Sequence, residues 1–69
     1  MSYKRRKLLQ ALFDRGFQVI REGASHTIVG REGSRSEPVP RHKEINRITA
    51  RKIAANLDID WDEFERDIR

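Results

Sequence analysis

The chain has 69 residues, enough for a single small domain over residues 1–69 with a modest hydrophobic core. It contains no cysteine, which excludes disulfides, thiolate zinc sites and cysteine nucleophiles. No apolar segment approaches the roughly 18 residues that a membrane span needs, and the N-terminus lacks the hydrophobic segment of a signal peptide. We therefore expect a cytoplasmic protein that has no membrane partner.

The charge is unevenly distributed along the chain. Fifteen Lys and Arg against eleven Asp and Glu give a net charge of +4. Residues 58–69 contain six acids and two bases, so residues 1–57 have a net charge of +8. A basic body with an acidic tail predicts a polyanionic partner, most often nucleic acid.

The first predicted element is a helix over residues 2–15, with Ser2 as its N-cap and Gly16 ending it. Its apolar stripe consists of Leu8, Leu9, Leu12 and Phe13. The first turn contains four consecutive cations, residues 4–7. Positive charge beside the free N–H groups of a helix N-terminus favours phosphate binding.

Three antiparallel strands are predicted next, over residues 17–21, 25–29 and 35–39. The last strand contains Pro38 and is followed by Pro40. Because proline donates no backbone hydrogen bond, we expect this strand at an edge of the sheet.

A polar connection over residues 41–44 leads to a second helix over residues 46–57. Its buried stripe is predicted to be Ala50, Ile53, Ala54 and Leu57. Asp60 and Glu63 form a capping-box pattern at the start of a short terminal helix. The apolar residues of that helix are Trp61, Phe64 and Ile68. The order of elements predicts an α+β fold with helices on one face of a sheet.

The strongest candidate for chemistry is His26, near the start of the second strand. Alternation places His26 and Ile28 on one side of that strand and Ser25, Thr27 and Val29 on the other. Imidazole exchanges protons near neutral pH. RNA carries its own nucleophile, the 2′-hydroxyl, so general acid or base catalysis by His26 needs no metal or cofactor. His42 is a second, weaker candidate because it lies in a polar connection.

Other chemistries lack their motifs in this chain. The two histidines are sixteen residues apart and have no thiol partner, which disfavours a metal site. No GxSxG, Walker or GxGxxG motif occurs. Two binding alternatives remain: a non-catalytic RNA-binding module, and a DNA-binding protein that uses the helix over residues 46–57.

The sequence resembles the HicA toxin family, the messenger-RNA interferases of HicAB toxin–antitoxin modules. The resemblance spans roughly residues 5–60. The matching positions are Lys7-Leu8-Leu9, Leu12, Gly16-Phe17, Gly23-Ala24-Ser25-His26, Val39-Pro40, His42, Glu44-Ile45, Thr49 and Ile53. One position departs from the family's usual Gly-Ser-His, because Ala24 replaces the glycine. A positive φ at this position would strain an alanine.

The resemblance implies a double-stranded-RNA-binding-domain-like fold of order α-β-β-β-α, here with a short extra C-terminal helix. It implies an endoribonuclease toxin with His26 as the catalytic histidine and Ser25 as the preceding serine, which we expect to contact the RNA. It also implies a cognate HicB-like antitoxin that blocks the site. Charge and position suggest the RNA phosphate contacts, which are Lys7, Arg41, Lys43, Arg47 and Arg51.

Overall fold

The computed structural model describes residues 1–69, and it begins with a strand where the sequence predicts a helix cap. Strand β1, Ser2–Lys4, pairs antiparallel with β5, Glu44–Asn46. Tyr3 lies opposite Ile45, and both side chains are buried. The prediction that Ser2 caps a helix is therefore wrong. Burial of Tyr3 favours the strand, and the Ser2 hydroxyl donates to Glu44 Oε1 at 2.9 Å instead.

Helix α1 runs from Arg5 to Phe13. Leu8, Ala11 and Leu12 are buried in the core, while Phe13 is 40% exposed. Phe13 is turned about 100° from Leu12 around the helix axis, so it lies at the margin of the buried stripe. Gly16 has a φ of +90°, which confirms the predicted glycine stop.

The three central strands form a hairpin sheet of order β2-β3-β4. They are β2, Gln18–Glu22; β3, His26–Gly30; and β4, Glu37–Pro40. As predicted, the proline-containing strand lies at an edge. In β3, Thr27 and Val29 are buried against the helices and His26 is exposed on the opposite face. The predicted alternation is confirmed.

The C-terminal half follows the sequence prediction closely. Helix α2 runs from Arg47 to Asn56, and the Asn46 side chain accepts the Thr49 N–H at its start. Helix α3 runs from Trp61 to Ile68, and Asp60 accepts the Glu63 N–H. Each cap satisfies an N–H group that has no partner within its helix.

The helices and both sheets share one hydrophobic core. Fourteen buried apolar residues form it: Tyr3, Leu8, Ala11, Leu12, Phe17, Val29, Val39, Ile45, Ala50, Ile53, Ala54, Leu57, Phe64 and Ile68. The three helices and the antiparallel strands make an α+β fold, consistent with the expected double-stranded-RNA-binding-domain-like arrangement. None of the helices is long and apolar enough to cross a membrane.

Candidate active site

A tight hairpin turn between β2 and β3 presents His26. The Gly23 N–H donates to the His26 carbonyl at 2.8 Å, leaving Ala24 and Ser25 as the turn. A Cβ on Gly23 would lie 3.2 Å from that carbonyl oxygen, so this position favours glycine. Asp58 is the one non-glycine residue with a positive φ. Ala24 therefore adopts this turn without the strain that a left-handed conformation would impose.

The His26 side chain is available to an outside molecule. The residue is exposed, and its ring makes no hydrogen bond or ion pair with the protein. Its backbone pairs with Pro40 on β4, which fixes where the ring leaves the sheet. A strand-anchored imidazole without an internal partner is suited to exchange protons with a ligand.

Arg41 clamps the turn that precedes His26. Its backbone N–H donates to the Ser25 carbonyl at 3.2 Å, and its Nε donates to the Gly23 carbonyl at 3.1 Å. Its Nη2 pairs with Glu22 Oε1. Three contacts from one residue fix the turn and place a guanidinium group beside it.

Arg5 ties helix α1 to the same hairpin. Its Nε donates to the Pro40 carbonyl at 3.0 Å, and its Nη2 donates to Thr27 Oγ1 at 2.5 Å. The Thr27 hydroxyl in turn donates to Glu22 Oε1 at 2.8 Å. A continuous network therefore runs from Arg5 through Thr27 and Glu22 to Arg41. Sequence reasoning did not identify this role, although an inward-facing threonine in a buried strand signals that a polar partner is needed.

The predicted RNA-contacting residues lie in three different places. Ser25 and Arg41 lie at the turn that precedes His26, and Lys43 lies two residues after Arg41 in the β4–β5 connection. Lys7 lies elsewhere, because its Nζ donates to the carbonyl oxygen of Arg69 at 3.3 Å. The other two, Arg47 and Arg51, belong to a cluster around Trp61.

We call Tyr3, Arg47, Arg51 and Trp61 the tryptophan cluster. The guanidinium carbons of Arg47 and Arg51 lie 5.7 and 5.5 Å from the Trp61 ring centroid. Tyr3 meets Trp61 edge to face, with centroids 5.9 Å apart. Burial, followed by the neighbouring Glu65 carboxylate, raises the pKa of the Tyr3 hydroxyl. These contacts give both arginines a partner within the protein.

A second group of cations surrounds an open cavity beside the hairpin. The cavity has a volume of about 540 Å³, and we call it the basic basin; its lining residues are Lys4, Arg5, Arg6, Arg41, Lys43 and Glu44. Three of these, Lys4, Arg6 and Lys43, make no side-chain hydrogen bond or ion pair. Of the cationic run over residues 4–7, the basin thus includes all but Lys7.

His42 is exposed and lies in a different place from His26. It lines a smaller cavity of about 130 Å³ with Pro40, Glu44 and Thr49 among its neighbours. No three His, Asp or Glu side chains come together as a metal-binding group. The structure therefore places Ser25 and Arg41 at the turn that precedes His26, and Arg41 shares the basic basin with Lys4, Arg5, Arg6 and Lys43.

Comparison with known proteins identifies the family. No curated protein and no solved structure matches the chain. A family model described as the HicA toxin of bacterial toxin-antitoxin systems matches residues 5–59, from the start of α1 to the residue before the Asp60 cap. This range contains the His26 hairpin, the β4–β5 connection and α2. The chain belongs to the HicA toxin family.

Proposed function

We propose that this toxin is a metal-independent endoribonuclease that acts on messenger RNA and in which His26 transfers a proton. The observation that carries the proposal is the exposed His26 ring, which lacks an internal partner and stands on a hairpin fixed by two arginines. Membership of the HicA family gives the toxin a cognate antitoxin as its protein partner. Ser25, in the clamped turn, is proposed to contact the RNA next to the reacting phosphate.

The proposed reaction uses the RNA 2′-hydroxyl as its nucleophile. The 2′-oxygen attacks the adjacent phosphorus and the bond from phosphorus to the 5′-oxygen breaks, giving a 2′,3′-cyclic phosphate and a free 5′-hydroxyl. One proton leaves the 2′-oxygen and one is added to the departing 5′-oxygen. His26 serves as the base for the first transfer or, when protonated, as the acid for the second, and solvent water exchanges the other proton.

Arg41 is the guanidinium group proposed to stabilise the charge that develops on phosphorus, because it bonds to the turn that precedes His26, whereas Arg5 bonds to Thr27 on the opposite face of β3. Arg41 uses Nε and Nη2 in contacts with the hairpin, and its Nη1 has no acceptor in the protein. A guanidinium group has five N–H donors in a rigid fork. The contacts already made therefore hold the Arg41 fork in position while donors remain for phosphate oxygens.

The direct test is His26→Ala, measured by cleavage of purified RNA in the presence of a chelator and by growth inhibition. Loss of proton transfer should reduce the cleavage rate by about 10²- to 10⁴-fold and abolish growth inhibition. The melting temperature should stay close to the parent value because the ring is exposed and makes no hydrogen bond or ion pair within the protein. His42→Ala is the matched control and should cleave like the parent.

Parent-like cleavage by the His26→Ala protein would refute the assignment. A second candidate function, a non-catalytic RNA-binding module, is favoured by one observation, the unpaired cations of the basic basin. Charge and shape alone suffice for much of double-stranded RNA recognition. RNA that stays intact while the parent protein binds it measurably would favour this second function.

A further inference from the structure

We propose that the basic basin is a subsite for RNA backbone phosphates, adjacent to the turn that precedes His26 and distinct from His26 itself. The inference rests on the proposed function, because it assigns the nucleotides beside the reacting phosphate to a defined surface. Its residues come from the β1–α1 junction and from the β4–β5 connection, which the fold brings together. The backbone holds the two segments together, since the Arg5 N–H donates to the Lys43 carbonyl at 2.9 Å.

The charge of the basin is not balanced within the protein. Of its two nearby acids, Glu44 accepts a hydrogen bond from Ser2, and Glu22 pairs with Arg41. Arg5 bonds only to neutral oxygens, and the remaining three cations have no partner. Like charges held close together raise the free energy of the folded state, and a bound anion would relieve their repulsion.

The lining of the basin indicates which kind of anion fits. It contains no apolar side chain, whereas the centres of protein–protein interfaces are enriched in aromatic residues and methionine. Interfaces with nucleic acid are more polar and much more positively charged. Three exposed cations on flexible stems suit a regularly charged phosphodiester chain better than an acidic protein segment.

Two arginines connect the basin to the His26 hairpin. Arg5 lines the basin and also bonds to Thr27, the residue next to His26. Arg41 lines the basin and also bonds to the Gly23 carbonyl in the turn. Because Thr27 lies on the face of β3 opposite His26, the route from the basin to His26 passes Arg41 and the turn that Arg41 contacts. The phosphates in the basin are those that flank the reacting one.

The test measures binding alone, in a His26→Ala background that removes cleavage. The basin variant combines Lys4→Gln, Arg6→Gln and Lys43→Gln. The control combines Arg35→Gln, Lys52→Gln and Arg66→Gln, which removes the same charge from exposed positions without side-chain bonds. The probe is a single-stranded RNA of about 20 nucleotides, longer than the site of a typical small single-strand binder. Binding is titrated from about 50 to 200 mM salt.

We expect the basin variant to bind RNA about tenfold more weakly, or worse, at the lowest salt. Its plot of log affinity against log salt should be less steep by about 2, because three phosphate contacts are lost at roughly 0.7 each on a single strand. The control should keep the parent slope. Equal changes in slope for the two variants would overturn the proposal, as would an absence of RNA binding by the His26→Ala protein.

Unchanged RNA affinity in the basin variant, together with weaker binding of the antitoxin, would also overturn the proposal and assign the basin to the protein partner. The result of this binding test can be distinguished from the result of the cleavage test of the proposed function. Cleavage by the parent protein tests His26, whereas the salt slope tests the basin in a protein that does not cleave.

Discussion

The basic basin and the tryptophan cluster use cationic side chains in opposite ways. In the tryptophan cluster, Arg47 and Arg51 lie over the Trp61 ring and have a partner inside the protein. In the basic basin, Lys4, Arg6 and Lys43 have none. The first arrangement stabilises the fold, whereas the second leaves charge for an outside anion.

A basic sequence can therefore contain two kinds of cationic side chain, those that have a partner within the protein and those that have none. By charge alone, Arg47 and Arg51 are as good candidates for RNA contacts as Lys43. The structure distinguishes them by what each side chain touches. Partnered cations are expected to contribute mainly to stability and unpartnered cations mainly to binding, and this expectation is open to measurement.

Arg5 gives the most direct test of this expectation, because it lines the basin and also makes hydrogen bonds within the protein. Arg5→Met keeps the apolar stem and removes the hydrogen bonds to the Pro40 carbonyl and Thr27. We expect the free energy of unfolding to fall by about 2 kcal/mol, in the range found for hydrogen bonds from charged groups. Urea denaturation of the parent and the variant measures this difference.

Arg6→Met is the matched control for Arg5→Met, since Arg6 is the next residue, lines the same basin and has no bonded partner. Its stability should stay within about 0.5 kcal/mol of the parent, as is usual for exposed positions. Equal losses of stability in the two variants would show that the hydrogen bonds of Arg5 do not stabilise the fold. That result would contradict the distinction between cations with and without a partner in the protein.

The double variant Arg47→Gln and Arg51→Gln tests the tryptophan cluster. Loss of two cation–π contacts at an exposed site should lower the free energy of unfolding by about 1 kcal/mol. In the His26→Ala background, the salt slope for RNA binding should stay at the parent value. The RNA-contacting role predicted for these arginines from charge would instead make the slope shallower.

The charge-preserving variant Arg47→Lys and Arg51→Lys separates stacking from charge. Lysine keeps the positive charge but lacks the planar group that stacks on an indole ring. We expect this variant to lose part of the stability and none of the RNA affinity. A loss of RNA affinity in the Gln variant that the Lys variant restores would place the two arginines in the RNA interface.

Local signals made the C-terminal half of the fold predictable. The Asp60 cap of α3 was predicted, because the cap and the N–H group that it accepts are only three positions apart. Asn46 was predicted only as the start of α2, and it also caps that helix over the same spacing. The pairing of β1 with β5 was missed because two three-residue strands carry too few residues for a pattern. The two strands are stabilised by pairing with each other and by the burial of Tyr3. Neither effect can be inferred from the sequence of either strand alone.

The candidate site was predictable to the extent that it depends on strand alternation. Two-residue periodicity correctly placed His26 on the face of β3 opposite Thr27. The clamp by Arg41 and the bonds from Arg5 were not predicted, because a long side chain reaches partners that only the folded chain brings near. Sequence spacing likewise gave no reason to separate Lys7 from its neighbours in the run over residues 4–7.

The smallest expected effect is a change in the free energy of unfolding that is specific to the cations of the basic basin. The variant Lys4→Gln, Arg6→Gln and Lys43→Gln should raise the free energy of unfolding by about 0.5 kcal/mol at low salt, because it removes repulsion between unpaired cations. Urea denaturation at two salt concentrations measures it, and the gain should shrink as screening shortens the range of the repulsion.

The control with Arg35→Gln, Lys52→Gln and Arg66→Gln changes the net charge by the same amount, so it accounts for the general effect of charge on stability. A gain in stability confined to the basin variant, accompanied by weaker RNA binding, would mean that the folded protein gives up stability to keep these cations free. Destabilisation of the basin variant would mean that these side chains support the fold after all. The basin and the tryptophan cluster would then differ only in the partners that hold their charges.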